Sequence, residues 1–372
     1  MWPRLVLAAA SLLVALVGAE VALRIHAHLL DRGILREGLE LGTQIPADRR
    51  VTLGQMIRLA DDPDIIYRLR PNLDVIYAHA PVTTNSAGFR GPEVAVTKPP
   101  AIVRIVGLGD SFMFGQGVAD GACYLDVLRR RLDEELGPGR VEVINTAVPG
   151  YNTVMEVETL RSVALAYDPD IVIISFVGND LSLPNFIRVP RPVLDLHHSF
   201  LRDAFKAGLA RLRRRTMSTR TRLRLAGVQG LDFNDRDGIA YATDPELVPE
   251  KYRHMVGWQA YGAALERLAD LSREHGLHLL WITLKRERGP LKEKAMHTAS
   301  ALGIATLDIG AALRAEVESS DSTRLKETAL TLSPSDPHPS VLAHRIAAAT
   351  LHDELVRRGW LEQDDSAVAR KP

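Results

Sequence analysis

Cysteine is almost absent: Cys123 is the one thiol in 372 residues. That excludes an internal disulfide and any metal site built on cysteine pairs, and it leaves the compartment open. Net charge is absent too, since 46 Lys and Arg balance 46 Asp and Glu. No global field therefore points to nucleic acid, and none is expected as a partner. There is no internal repeat. What remains is an ordinary globular balance, 46% apolar and 25% charged, in a chain long enough for one large domain or two small ones.

One long apolar run stands out. Residues 5–21 read LVLAAASLLVALVGAEV, interrupted only by Ser11 and Glu20, with Arg4 before and Arg24 and His26 after. Spanning a bilayer takes about 20 apolar residues, so the run is short but sufficient. The expectation is a single-pass anchor in the cell membrane with the rest of the chain outside the cytoplasm. Val17-Gly18-Ala19 also suits cleavage of a signal peptide, which would release the chain as a secreted or periplasmic protein. A buried first helix of a cytosolic protein is the third reading.

Beyond it, residues 28–62 read as a polar connector with some helical character. From Asp64 short β-rich pieces follow, broken at Pro71-Asn72 and at Asn85-Ser86-Ala87-Gly88, a small β element. The texture then alternates. Strands are predicted at 102–108, 141–145, 171–177, 277–284 and 304–307. Helices are predicted at 122–136, 154–166, 252–275, 291–302 and 341–358. Residues 112–121 show no helical period. Such alternation implies parallel β-α-β units, hence an α/β chain with helices on both faces of one sheet. The expected divisions are 1–27 anchor or signal, 28–99 connector and β element, 100–358 main domain and 359–372 polar tail. Residues 181–250 form an insertion whose middle carries Arg211, Arg213, Arg214, Arg215, Arg220, Arg222 and Arg224. That segment suits an anionic membrane surface or glycan, or simply a solvated face.

The chemistry gathers around VRIVGLGDSFMFGQG, residues 103–117. A dinucleotide fingerprint fails, because Phe112 stands where the third glycine belongs; a P-loop fails for want of its lysine. The hydrolase elbow G-x-S-x-G fails as well, since Met113 follows Ser111. What is left is a serine at the C-terminal end of a parallel strand, where open α/β sheets place ligands. Gly107 and Gly109 are expected to let the backbone come close to a substrate. A lone serine is inert and needs a base and an oxyanion hole. Gly150, Asn179 and the pair Asp336 and His338 follow later strands. Taken singly they read as a turn glycine, a turn or N-cap, and a structural histidine, and Ser111 as a helix cap.

Gly109-Asp110-Ser111, Gly150, Gly178-Asn179-Asp180 and Asp336 with His338 occur in an order that resembles the SGNH, or GDSL, hydrolase superfamily, over residues 100–358. The resemblance implies a three-layer α/β/α sandwich on a mainly parallel five-stranded sheet, a flavodoxin-like arrangement. It implies Ser111 as nucleophile, His338 as base and Asp336 as the acid that orients it. Ser111 N–H, Gly150 N–H and the Asn179 amide would make the oxyanion hole. No metal or cofactor is implied. The family commonly separates its aspartate and histidine by two residues, whereas only Pro337 intervenes here. A strand-like course through Asp336-Pro337-His338 is expected to point the two side chains apart. EVALRI in the apolar segment and NSAGFRG at 85–91 resemble a membrane-anchored envelope branch of the superfamily.

The expected activity is hydrolysis of an ester through an acyl-serine, on an O-acylated envelope polysaccharide or a lipid. Two alternatives stay open: an O-acetyltransferase acting on an exported glycan, and a non-catalytic glycan-binding module.

Overall fold

Five apolar runs built the expectation of one sheet, and they build the sheet. A computed structural model of the chain describes residues 2–31, 45–188, 199–202, 204–205, 231–233, 243–318 and 329–362. The arginine-rich stretch and the last ten residues lie outside them. The first helix, α1, is Trp2–Asp31. A small β element follows: β1 (Arg50–Val51), α2 (Leu53–Met56), β2 (Ile57–Leu59), β3 (Tyr67–Leu69), β4 (Asp74–Tyr77) and β5 (Ala80–Thr83). The main domain then runs β6 (Val103–Leu108), α3 (Ser111–Phe114), α4 (Tyr124–Leu136), β7 (Val141–Asn145), α5 (Thr153–Ser162) and β8 (Ile171–Ser175). After the antiparallel pair β9 (Phe186–Arg188) and β10 (Leu231–Phe233) come α6 (Gly257–His275), β11 (His278–Thr283), α7 (Pro290–Ala301), β12 (Ala305–Asp308) and α8 (Ile309–Glu318). A hairpin of β13 (Thr331–Ser333) and β14 (Asp336–Pro339) leads into α9 (Val341–Arg357).

The central sheet has order β12-β11-β8-β6-β7 and every pairing in it is parallel. Both faces are covered, so its inner strands read as unbroken apolar runs rather than alternating ones. On one face Ile105, Ile173 and Ile282 meet Leu128 and Leu132 of α4 and Ala347 and Leu351 of α9. On the other, Val106, Ile174 and Trp281 meet Leu160 of α5, Leu265 and Leu268 of α6 and Ala299 of α7. The small β element shares the first of these cores through Met56, Ile57 and Val75.

Several local expectations are corrected. The helix predicted at 154–166 stops at Ser162 and continues as a 3₁₀ turn, Ala164–Tyr167. The one predicted at 252–275 begins with a 3₁₀ segment, Glu250–Met255, and turns α-helical only at Gly257, whose φ of +85° marks the break. Residues 112–121 open inside a one-turn helix, too short to show a period. Helix α1 outruns the apolar core of its sequence. Its span Trp2–His26 is apolar enough to cross a membrane, and 25 residues rise about 37 Å. Glu20 in this helix accepts from Ser199 Oγ at 3.1 Å and from the Phe200 and Leu201 N–H groups at 3.0 and 2.7 Å. Arg24 lies over the Phe200 ring. The start of the insertion is thus tied to α1.

Candidate active site

Strand β6 delivers the chain to Gly109 at the C-terminal edge of the sheet. Asp110 then caps α3, its Oδ1 accepting the Phe112 N–H at 2.9 Å. Capping therefore falls to Asp110, and Ser111 takes the first helical position, where a backbone N–H has no intrahelical acceptor. Gly107 and Gly109 do not face the crevice. A Cβ on either would lie 2.5 Å from Leu125 Cδ1 or Met113 Cβ respectively. Their role is to let α3 and α4 close on the strand, a correction of the expected approach to substrate.

The β13–β14 hairpin brings His338 to Ser111. His338 Nε2 lies 3.0 Å from Ser111 Oγ, and His338 Nδ1 lies 2.5 Å from Asp336 Oδ1. The His338 N–H donates to the same carboxyl oxygen at 3.1 Å. Asp336 and His338 do not point apart. Residues i and i+2 of a strand share a face, so one intervening proline is the spacing that puts carboxylate and imidazole side by side. Burial alone would raise the Asp336 carboxyl; the hydrogen bonds and charge of His338 outweigh it and hold the carboxyl below its ordinary range. An ionised Asp336 accepts a hydrogen bond from Nδ1–H, the tautomer that leaves the Nε2 lone pair facing the serine hydroxyl. The Ser111 hydroxyl has a second acceptor, Asp110 Oδ2 at 3.1 Å.

Gly150 and Asn179 come from the loops after β7 and β8. Gly150 has φ +82°, in the left-handed region that favours glycine. The Asn179 amide donates to the Tyr151 carbonyl at 3.2 Å and also bonds the Asp110 carboxyl. Below them lies Asp180, which accepts from the Val177 N–H at 2.5 Å and the Thr153 hydroxyl at 2.9 Å. Glu156, at 1% exposure, has neither carboxyl oxygen hydrogen-bonded. Burial first, then the neighbouring acids, push Asp180 and Glu156 well above the usual carboxyl range. Among the described residues no cluster of three or more His, Cys, Asp or Glu is arranged to hold a metal ion.

Several surrounding residues escape a reading of the sequence. The Tyr77 hydroxyl donates to Gln116 Oε1 at 2.8 Å, and the Gln116 amide nitrogen lies 3.4 Å from His338 Nδ1. Asn145 Nδ2 donates to the Met113 carbonyl at 3.1 Å. Arg90, 3% exposed, reaches the carbonyls of Phe114, Gly115 and Val118 at 2.6, 2.7 and 2.7 Å. The signal for Arg90 was its place in NSAGFRG; its task was not readable, because its acceptors lie more than twenty residues away.

Solved structures give a loose likeness. The lipase/acylhydrolase from Enterococcus faecalis is 18% identical, with 69% of this chain and 97% of that one covered and a TM-score of 0.39. A catalytic mutant of Axe2, an acetylxylan esterase from Geobacillus stearothermophilus, is 15% identical, with 72% and 100% covered and a TM-score of 0.41. LAE5, an α/β hydrolase enzyme from the metagenome of Lake Arreo in Spain, is 13% identical, with 72% and 99% covered and a TM-score of 0.40. No curated protein sequence matches. A family model does: the GDSL-like lipase/acylhydrolase model aligns with residues 108–346. That span takes in well over half of the chain and runs from the end of β6 into α9, so the chain belongs to the GDSL-like lipase/acylhydrolase family and is an ester hydrolase of SGNH type.

Proposed function

We propose that the chain cleaves an O-acyl ester of the cell envelope, on a polysaccharide or a lipid, through an acyl-serine intermediate at Ser111. The observation that carries this reading is the hydrogen-bonded run from Asp336 through His338 to Ser111. The imidazole takes the serine proton as Oγ attacks the carbonyl. Ser111 N–H, Gly150 N–H and the Asn179 amide receive the developing oxyanion. The protonated imidazole gives its proton to the leaving alcohol, and water activated by the same ring releases the acid. Asp336 holds the ring in the tautomer this requires.

The envelope setting rests on α1, whose apolar side chains are exposed from Trp2 to Val17. On this reading α1 is a single-pass anchor and the catalytic domain is extracytoplasmic. The full chain should then sediment with membranes and leave them only in detergent. A soluble form whose first residue lies near Glu20 would instead make the segment a cleaved signal.

Hydrolysis of an aryl acetate by the detergent-solubilised chain, beside Ser111→Ala, tests the activity. Turnover lost in the variant supports the reading. Acetylated sugar as the main product when sugars are added would make the chain a transferase, and function unchanged by Ser111→Ala would make it a binding module.

A further inference from the structure

Two polar side chains lie beside Gly150 and Gly178, next to the residues assigned above to the oxyanion hole, and take no part in that scheme. The first is Asn185. A Cβ placed on Gly150 would lie 2.3 Å from Asn185 Nδ2 and 2.6 Å from Asn185 Cβ. The Asn185 side chain thus fills the space a side chain at 150 would need, and the Asn185 backbone N–H donates to the Gly150 carbonyl at 3.2 Å. The second is Lys285. A Cβ on Gly178, the residue before Asn179, would lie 3.7 Å from Lys285 Nζ. Lys285 follows β11, the neighbour of β8 in the sheet, so both stand at the same C-terminal edge.

The backbone of Lys285 is pinned. Its N–H donates to Thr283 Oγ1 at 3.2 Å, and its carbonyl accepts from Lys292 Nζ at 3.0 Å. Gly310 passes so close that a Cβ there would lie 2.0 Å from that carbonyl oxygen. The acid beside this loop, Asp308, is engaged by Lys292 and Arg314. Among the described residues no carboxylate pairs with the Lys285 ammonium. A half-buried cation on a fixed backbone, unpaired and directed toward the loop that carries Asn179, is prepared for an anion brought by a ligand.

We propose that Lys285 and Asn185 form a subsite for an acidic group of the substrate, a carboxylate or phosphate close to the scissile carbonyl, so that the natural ester is an acidic molecule rather than a neutral fat or neutral glycan. This rests on the esterase reading, which places the ester in the crevice at Ser111. Lys285 supplies charge and Asn185 a directed N–H; a carboxylate or phosphate offers oxygens to both.

The test uses the full chain in detergent and three aryl acetates that differ only in a ring substituent: methyl ester, carboxylate or phosphate. The ratio of kcat/KM for each anionic ester to the neutral one is read at low salt. The wild type should favour at least one anionic ester by about tenfold or more, and Lys285→Glu should erase that preference. Asn185→Ala should reduce it in part. The better of the two anionic esters names the group. A structural role for Lys285 would slow all three esters alike and leave the ratio unchanged. An unchanged ratio, or a wild type that favours the neutral ester over both others, overturns the subsite. If no ester is turned over faster than by Ser111→Ala, it is the esterase reading that fails. Calorimetric titration with inorganic phosphate then decides the subsite: binding lost in Lys285→Glu supports it, and equal or absent binding overturns it.

Discussion

The guanidinium of Arg90 lies 2.6 Å from the carbonyl oxygen of Phe114, the last residue of the single helical turn that Ser111 begins. The same group holds the carbonyls of Gly115 and Val118, pairs with Asp120 at 3.1 Å, and sits over the Phe114 ring. The loop that carries Ser111 is therefore fixed from behind by Arg90, which follows the small β element. Arg90→Ala would take the side-chain donor from the buried carbonyls of Phe114 and Val118, and one of two donors from that of Gly115, which also accepts the Val118 N–H at 3.2 Å. It should cost about 3–5 kcal/mol of stability, read by denaturant unfolding. Arg90→Lys restores the charge but not the fork of donors, and should recover only part of that loss.

The Asn179 amide bonds the Tyr151 carbonyl and the carboxyl of Asp110, the residue before Ser111. If that amide stabilises the oxyanion, Asn179→Ala should lower kcat by about 10²–10³ and leave KM nearly unchanged. A loss confined to KM would show that Asn179 binds substrate without stabilising charge in the transition state.

Two variants separate base from orienting acid. The hydrogen bonds and charge of His338 hold the Asp336 carboxyl below its ordinary range, so a fall of activity in acid should not begin with Asp336. Asp336→Asn should lower kcat and leave some turnover, and His338→Gln should abolish it. Full turnover in His338→Gln would remove His338 as the base.

His344 gives the fold an acid sensitivity of its own. It is fully buried on α9, stacked on Tyr124, its Nδ1 accepting the Tyr124 N–H at 3.2 Å while Nε2 has no partner. Burial first, then the charges of Arg90 and His338, lower its pKa to about 3. In the unfolded chain the ring titrates near about 6.5. Below that pH the unfolded state binds the proton and the folded state does not, so stability falls with acidity. The slope should approach about 1.4 kcal/mol per pH unit until the folded-state value is reached. His344→Gln should remove this component from unfolding measured at pH 4–6.

The sheet was legible because its strands are apolar on both faces and its helices end on glycine: Gly276 and Gly303 both take positive φ where the helical pattern stops. That Ser111, Gly150 and Asn179 stand at one edge of the sheet was legible because each follows one of those strands. Three things were not. Helix α3 is four residues long, and no periodicity can be counted over one turn. The β13–β14 hairpin reads as a turn, since SPSDPHP holds three prolines in seven residues, and only its pairing shows that Asp336 and His338 share a face. Arg90, Gln116 and Lys285 act across the fold, and a sequence does not reveal which distant carbonyl or loop a long side chain will reach.

The central claim is covalent: an acyl group passes through Ser111. The most direct measurement is rapid quenching of the full chain with an aryl acetate, followed by mass analysis of the peptide that contains residue 111. An acetyl group on Ser111 that forms in the first turnover, and is missing together with catalysis in Ser111→Ala, is the predicted result. Continued turnover in Ser111→Ala, or acetylation at another residue in place of Ser111, would contradict it.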